Sequence, residues 1–497
     1  MTIEFPTELM LTPEIFNFMK LKIILFFIVL ACFVSIRAQQ VDSLDKTEEL
    51  QKRLTQMEAE MKVMREELAK IKQDSALNKP VTQSISNDPT PAKTEPKQNQ
   101  TVESAKQPKT TGVDLGSVRL TPYGTIYFNA FGNSGGTNNA DVPLFATPTG
   151  SGNMSASVRQ TRLGFRLEGA EVGKARLSAV LEADFFGGFP SVGIGENFGV
   201  VRLRLANAKL DWEKTSVTIG QDWMVFAPVN PISLAAAAIP QMAAAGNNWA
   251  RLPQIKIERK LNKNFTFAGA ILAPQTGDSA TNTSFFLQST SGSSSRLPFI
   301  QSRLSFGDNN WFGTKKAGSI GLSGQYGHSR IFTGSINVRN DIESVGIALD
   351  WNFPLLERVN LTGEAFLGRN LGGFQAGIFQ SYNSDFAYRK GTGLVAGGSR
   401  SIGTRGGWTQ VGFTPKVLQN RLGIYGSIGL DDPRDEDLVS LTHRDFRTRN
   451  LAIAGDLIYK FNPQFQIGAE LRRFQTNYFF SGRQHSNHVN LSAAYNF

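Results

Sequence analysis

Between residues 118 and 497 apolar side chains recur at every second position, and the helical spacing of three and four is missing. Period two belongs to strands whose two faces meet different surroundings. The last ten residues, "HVNLSAAYNF", show it well. Val489, Leu491, Ala493, Tyr495 and Phe497 share one parity, and His488, Asn490, Ser492, Ala494 and Asn496 share the other. Sixteen such stretches can be read: 118–132, 156–169, 173–186, 199–212, 215–223, 253–261, 264–273, 298–306, 317–327, 342–353, 358–369, 406–415, 421–431, 449–460, 464–476 and 486–497. Most are near the roughly 9–11 residues that a tilted strand needs to cross a bilayer.

The connections between them alternate in length. "AEV" 170–172, "EK" 213–214, "NK" 262–263, "PLLE" 354–357 and "NPQ" 462–464 are short, whereas 133–155, 224–252, 274–297 and 370–405 are long. A soluble sandwich has no reason to collect its long loops at one end. A bacterial outer-membrane barrel does, and it keeps an even number of strands. The expected fold is therefore an all-β transmembrane barrel of 16 antiparallel strands, preceded by an N-terminal periplasmic α-helical coiled coil. Leu491, Tyr495 and Phe497 are expected to face lipid. A mean hydropathy of −0.21 agrees with alternation, and no run of 18 apolar residues offers a spanning helix.

Residues 1–38 read as an export signal, in which Lys20 and Lys22 precede "IILFFIVLACFV" and Ala38 suits cleavage. Glu4, Glu8 and Glu14 are out of place in a basic leader, which points to Met19 as the true start. A lipoprotein signal would acylate Cys32, the single cysteine, but apolar residues follow it. Residues 39–73 hold a heptad seam, with Leu54, Met61 and Leu68 at a and Met57, Met64 and Ile71 at d. Arg53 with Glu58, Glu60 with Arg65, and Glu67 with Lys72 are attractive g–e′ pairs in a parallel homo-oligomer. Residues 74–117, with five prolines among polar residues, read as an extended tether. The barrel occupies 118–497.

Charge then describes the lumen. Residues 1–117 carry 15 Lys and Arg against 16 Asp and Glu, which leaves 37 against 26 in the barrel, a net of +11. Arg162, Arg166, Arg202, Arg204, Arg251, Lys256 and Arg472 fall on the inward parity, and rings of cations favour anions in a pore. Pairing with inward Glu168, Glu182 and Asp184 would instead make them wall braces. The connection "MVFAPVNPISLAAAAIPQMAAAGNNWA", 224–250, has no charge at all. It reads either as a short helix packed inside the barrel as a constriction, with Pro231, Ala236, Ala244 and Asn248 along it, or as a contact between subunits.

Several stretches carry a family resemblance. "LTPYGTIYFNAF" 120–131, "VRQTRLGFRLEG" 158–169, "ARLSAVLEADFFGG" 175–188, "VRLRLANAKLDW" 201–212, "IGQDWMVF" 219–226 and "RLPQIK" 251–256 resemble the first six strands of DcaP-type outer-membrane porins. The resemblance is specific over 118–260 and generic beyond. It implies a homotrimer taking up small anionic solutes such as aromatic dicarboxylates, and it places Arg162, Arg166, Arg202, Arg204 and Arg251 at basic lumen positions. The phosphate-selective porins share the coil-plus-barrel layout. The expected partners are further copies of the chain, outer-membrane lipids, peptidoglycan at the coil, and anions, not nucleic acid. No cofactor is expected. "GNSGG" 132–136 lacks the following helix of a nucleophile elbow, and His328, His443, His485 and His488 form no ligand set. An outer-rim hydrolase using His443 or His485, and a cell-wall tether, are the competing readings.

Overall fold

The computed structural model describes residues 112–188, 199–276, 289–333 and 338–497. The signal, the coiled coil and almost all of the tether lie outside the described residues. Twenty strands are present: β1 Val113–Leu115, β2 Val118–Thr137, β3 Ala146–Ser157, β4 Arg162–Val172, β5 Ala175–Asp184, β6 Arg202–Asp211, β7 Thr215–Trp223, β8 Arg251–Lys260, β9 Phe265–Leu272 and β10 Phe299–Asp308. The second half holds β11 Gly318–Thr333, β12 Val338–Leu356, β13 Val359–Arg369, β14 Tyr382–Lys390, β15 Gly393–Ser401, β16 Gly403–Phe413, β17 Leu422–Pro433, β18 Arg447–Lys460, β19 Phe465–Tyr478 and β20 Gly482–Asn496.

Sixteen staves close one antiparallel barrel. β3 and β4 share a single stave, since β3 pairs with the upper part of β2 and β4 with its lower part. Closure comes from β20 on β2, with Thr125 opposite Asn496 and Asn133 opposite His488. Every stave matches one of the sixteen alternating stretches. The stretch 156–169 is interrupted at 158–161, a break that turns Gln160 into the lumen, where it is completely buried. β1 is a three-residue strand on β2, inside what reads as tether. β14 and β15 form a separate hairpin within the connection 370–405.

The barrel ends differ as expected, with two refinements. The turn after β4 is Gly173–Lys174, both at positive φ (52° and 66°), so it lies just beyond "AEV". At the outer end, 479–481 is short, because β19 and β20 themselves run on. The outer wall is apolar: Leu163, Leu181, Ile255, Leu304, Ile347, Ile428, Leu471 and Leu491 are all exposed on it. Such a belt requires lipid around it. Leu491 and Tyr495 belong to this face. Phe497 stacks on Tyr495 but is only 6% exposed, because its backbone pairs with Gly124 and seals the seam.

Candidate functional site

The lumen is occupied by the uncharged connection 224–250. It contains no helix. Pro228, Pro231 and Pro240 cannot donate backbone hydrogen bonds, and Ala227, Met242 and Ala244 take positive φ. The segment is instead held by side chains of the barrel wall acting on its backbone. Gln160 Oε1 accepts from the N–H groups of both Ala237 and Ala238 at 2.8 Å, and its amide donates to the Ala235 carbonyl at 2.8 Å. Gln410 both accepts from Ile232 N and donates to Ile232 O, each at 2.9 Å. Gln301 Oε1 accepts from Val225 N and Phe226 N at 3.0 Å. Asn450 donates to the Ala244 carbonyl at 2.8 Å, and Glu364 accepts from Asn248 N and Nδ2 at 2.8 and 2.9 Å. These anchors come from staves all round the barrel. Alanine suits the segment because a methyl side chain leaves the backbone within reach.

Backbone packs on backbone where the segment turns. Gly246 sits at φ +103°, and a Cβ there would collide with the backbone of Gly407 on β16. Gly429 on β17 likewise leaves room for the Ala245 carbonyl. Pro231, Ala236, Ala244 and Asn248 are all buried. Two further connections complete an apolar filling that period-two reading did not reveal. Leu144 and Phe145 pack on Ala243, Ala244, Trp249 and Ile378, and Phe374 joins Phe226 and Phe299.

Six of the seven sequence-selected cations divide into two groups, and the seventh, Arg472, lies on the opposite wall. Arg162, Arg202, Arg204 and Arg251 converge near residues 237–238. Arg162 donates to the Ala237 carbonyl at 2.9 Å, and Arg202 and Arg251 to that of Ala238 at 2.9 and 3.5 Å. Arg202 grips Asp184 through two bonds of 2.7 and 3.0 Å. Arg204 bridges Glu182 at 2.5 Å and Asp184 at 2.8 Å. Arg162 and Arg251 make no ion pair among the described residues. Arg251 instead lies over the rings of Trp223 (4.3 Å) and Trp249 (5.0 Å). The Nε of each is buried and unbonded. Four guanidiniums thus face two carboxylates. Arg166, stacked on Tyr123, and Lys256, paired with Asp222 at 2.6 Å, lie further down the wall. Wall bracing therefore accounts for Arg202, Arg204 and Lys256, but not for Arg162 or Arg251.

The opposite wall carries carboxyl groups, which the sequence reading missed. Asp350, Glu364, Asp431, Asp456 and Glu470 are all at most 4% exposed. Arg303 pairs with Asp350, and Arg472 with Glu470. The lumen segment covers Glu364 with Asn248, Asp456 with Gln241, and Glu470 with Gln241 and Ser233.

This architecture is shared by solved outer-membrane channels. The outer membrane channel DcaP of Acinetobacter baumannii shares the fold, with a TM-score of 0.57 at 18% identity over 77% of this chain and 98% of that one. Salmonella typhi OmpF gives 0.49 at 14% identity (78% and 100% covered), and an anion-selective porin from Comamonas acidovorans 0.46 at 13% (76% and 100%). No family model and no curated protein matches the sequence. The sequence resemblance to DcaP-type porins is thus met at the level of fold.

On the outer rim, Asp445 bonds directly to the Ser481 hydroxyl, and His443 packs edge-on against Phe480. His485 stands opposite Gln475 in the wall. Among the described residues the two histidines form no Ser–His–Asp relay at the rim.

Proposed function

We propose that this chain is an outer-membrane porin that passes small hydrophilic solutes with a preference for anions. One observation carries the preference. At the height of the lumen segment the carboxyl groups are buried, whereas Arg202 and Arg251 remain partly open to the lumen. A solute passing there meets guanidinium before carboxylate, and a low-dielectric surround strengthens that attraction. Arg166 and Lys256, both half-buried, extend the basic track toward the periplasmic end. Assembly as a homotrimer, aided by the N-terminal heptads, belongs to the same reading.

The test is recording in a planar bilayer under a KCl gradient. We expect current in three equal steps and a reversal potential displaced toward chloride. Joint replacement Arg202→Gln and Arg251→Gln should bring the reversal potential close to zero with conductance retained. A silent lumen, or a reversal potential indifferent to both replacements, would remove the proposal.

A further inference from the structure

A patch on the outside of the barrel is left unexplained by conduction. On β18–β20 the inward parity is taken by Asn450, Arg472 and Asn490, so Arg449, Arg473 and Arg483 point outward. Register fixes their arrangement. Arg449 and Arg483 both stand opposite Asn477, one on each side of it. Strand spacing puts their Cα atoms about 10 Å apart. Arg473, between Ile453 and Asn487, lies one strand over and about 13 Å nearer the membrane centre. His485, Gln475 and Asn477 fill the space between the three. Immediately below comes bare apolar wall: Ile453, Leu471, Val489 and Leu491 are 48–59% exposed.

Some outward cations elsewhere are paired, as Arg330 and Arg339 are with Asp341, and Arg405 is with Asp432. These three form no ion pair among the described residues. Asp432, which follows the Asp431–Asn450 pair, is engaged with Arg405, and Asp445 with Ser481 and the N–H of Phe480. The patch lies toward the loop end of the staves, on the side that meets lipid. Cations directly above an acyl-facing belt match a ligand with phosphate at its head and hydrocarbon below.

We infer that Arg449, Arg473 and Arg483 bind the phosphate groups of an anionic lipid in the outer leaflet. Charge complementarity with phosphate, together with the apolar wall below the cations, selects this occupant; a two-fold contact would set the same three cations against each other, and a three-fold contact is tested by the oligomeric state of the variant. The inference rests on the outer-membrane reading. Conduction recorded on the same variant keeps the two apart, since none of the three residues faces the lumen.

The experiment titrates the full-length protein in detergent with diphosphorylated lipid A and, separately, with lipid A stripped of both phosphates, reading bound lipid by native mass spectrometry. The variant is Arg449→Gln, Arg473→Gln, Arg483→Gln. We expect the native chain to favour the diphosphorylated form by at least about tenfold, taking a few partly exposed ion pairs together. The triple variant should lose that preference while its conductance stays native. Equal binding of both lipids by the native chain would overturn the inference, as would a variant that keeps the preference. A change of oligomeric state in the variant without lipid would also overturn it and assign the patch to a subunit contact.

Discussion

Replacing Gln160 by leucine keeps most of the side-chain volume and removes every hydrogen bond the residue makes to the lumen segment. Gln160 is fully buried and accepts from two backbone N–H groups while donating to one carbonyl of the same turn. An unsatisfied buried donor costs about 1–3 kcal/mol. Two such donors would give about 2–6 kcal/mol, but Arg202 is 26% exposed beside this turn and lets water reach it. The lower end, about 2 kcal/mol, is the appropriate figure, and it shifts the docked-to-undocked ratio about thirtyfold. The readout is the current histogram of single channels. The native chain should show one level per subunit, and Gln160→Leu a second, larger level that is visited repeatedly. The barrel itself should melt normally in detergent, because Gln160 lies in the break between β3 and β4 and contributes nothing to the strand ladder. An unchanged single level would refute the argument. So would a lowered melting point with native current, which would mean that Gln160 braces the wall and not the segment.

Gly246→Val should loosen the same segment from its other side, since the side chain would need φ +103° and the space of Gly407; a larger conductance substate and a loss of about 1–3 kcal/mol in unfolding are expected. Leu491→Arg places a charge on the lipid face at a cost of about 2–4 kcal/mol near the midplane, and should reduce the heat-resistant folded band on gels. At the outer tip of β11–β12, Arg330 and Arg339 hold the Asp341 carboxyl below its usual range. Their contact is complete above the ordinary carboxylate pKa and fades only as pH falls through the depressed one. Protection of Arg330 and Arg339 from hydrogen exchange, taken relative to the intrinsic rate at each pH, should thus be the same at pH 6 and pH 4, and should fall with salt because the group is exposed. Weaker protection by pH 4 would contradict the shift.

The staves were legible because lipid punishes error: a one-residue slip would turn every apolar side chain of Leu471 to Leu491 inward. The inward cations were legible for the same reason, since Arg162 or Arg204 cannot face hydrocarbon. What period two does not encode is which inward residues meet one another across the lumen. Glu364, Asp456 and Glu470 carry no distinguishing mark in the sequence, and only the fold brings Asn248, Gln241 and Ser233 onto them. Gln160 gave no signal either, because its role depends on a break in its stave. The connection 224–250 was recognisable as buried from its lack of charge, yet its alanines suggested a helix. In the structure the backbone donors are taken by Gln160, Gln301 and Gln410, so a helix would compete with the wall for the same N–H groups.

That competition also bears on the proposed selectivity, whose charge it assigns to the wall. A segment anchored through its own backbone must stay uncharged, because each charged side chain would be buried among apolar neighbours at a cost of several kcal/mol. It therefore contributes only dipoles: N–H groups and side-chain amides toward the carboxyl wall, and the Ala237 and Ala238 carbonyls toward the arginines. The first cancels the acidic side and the second orients the basic side without neutralising it. Lengthening a side chain at Ala236 or Ala244 should then narrow the opening with little change in the sign of selectivity, whereas changing Arg202 and Arg251 together should abolish the preference with little change in width. If a bulky residue at Ala236 instead reversed the preference, the segment and not the wall would carry the selecting charge, and the division of labour argued from these contacts would fail.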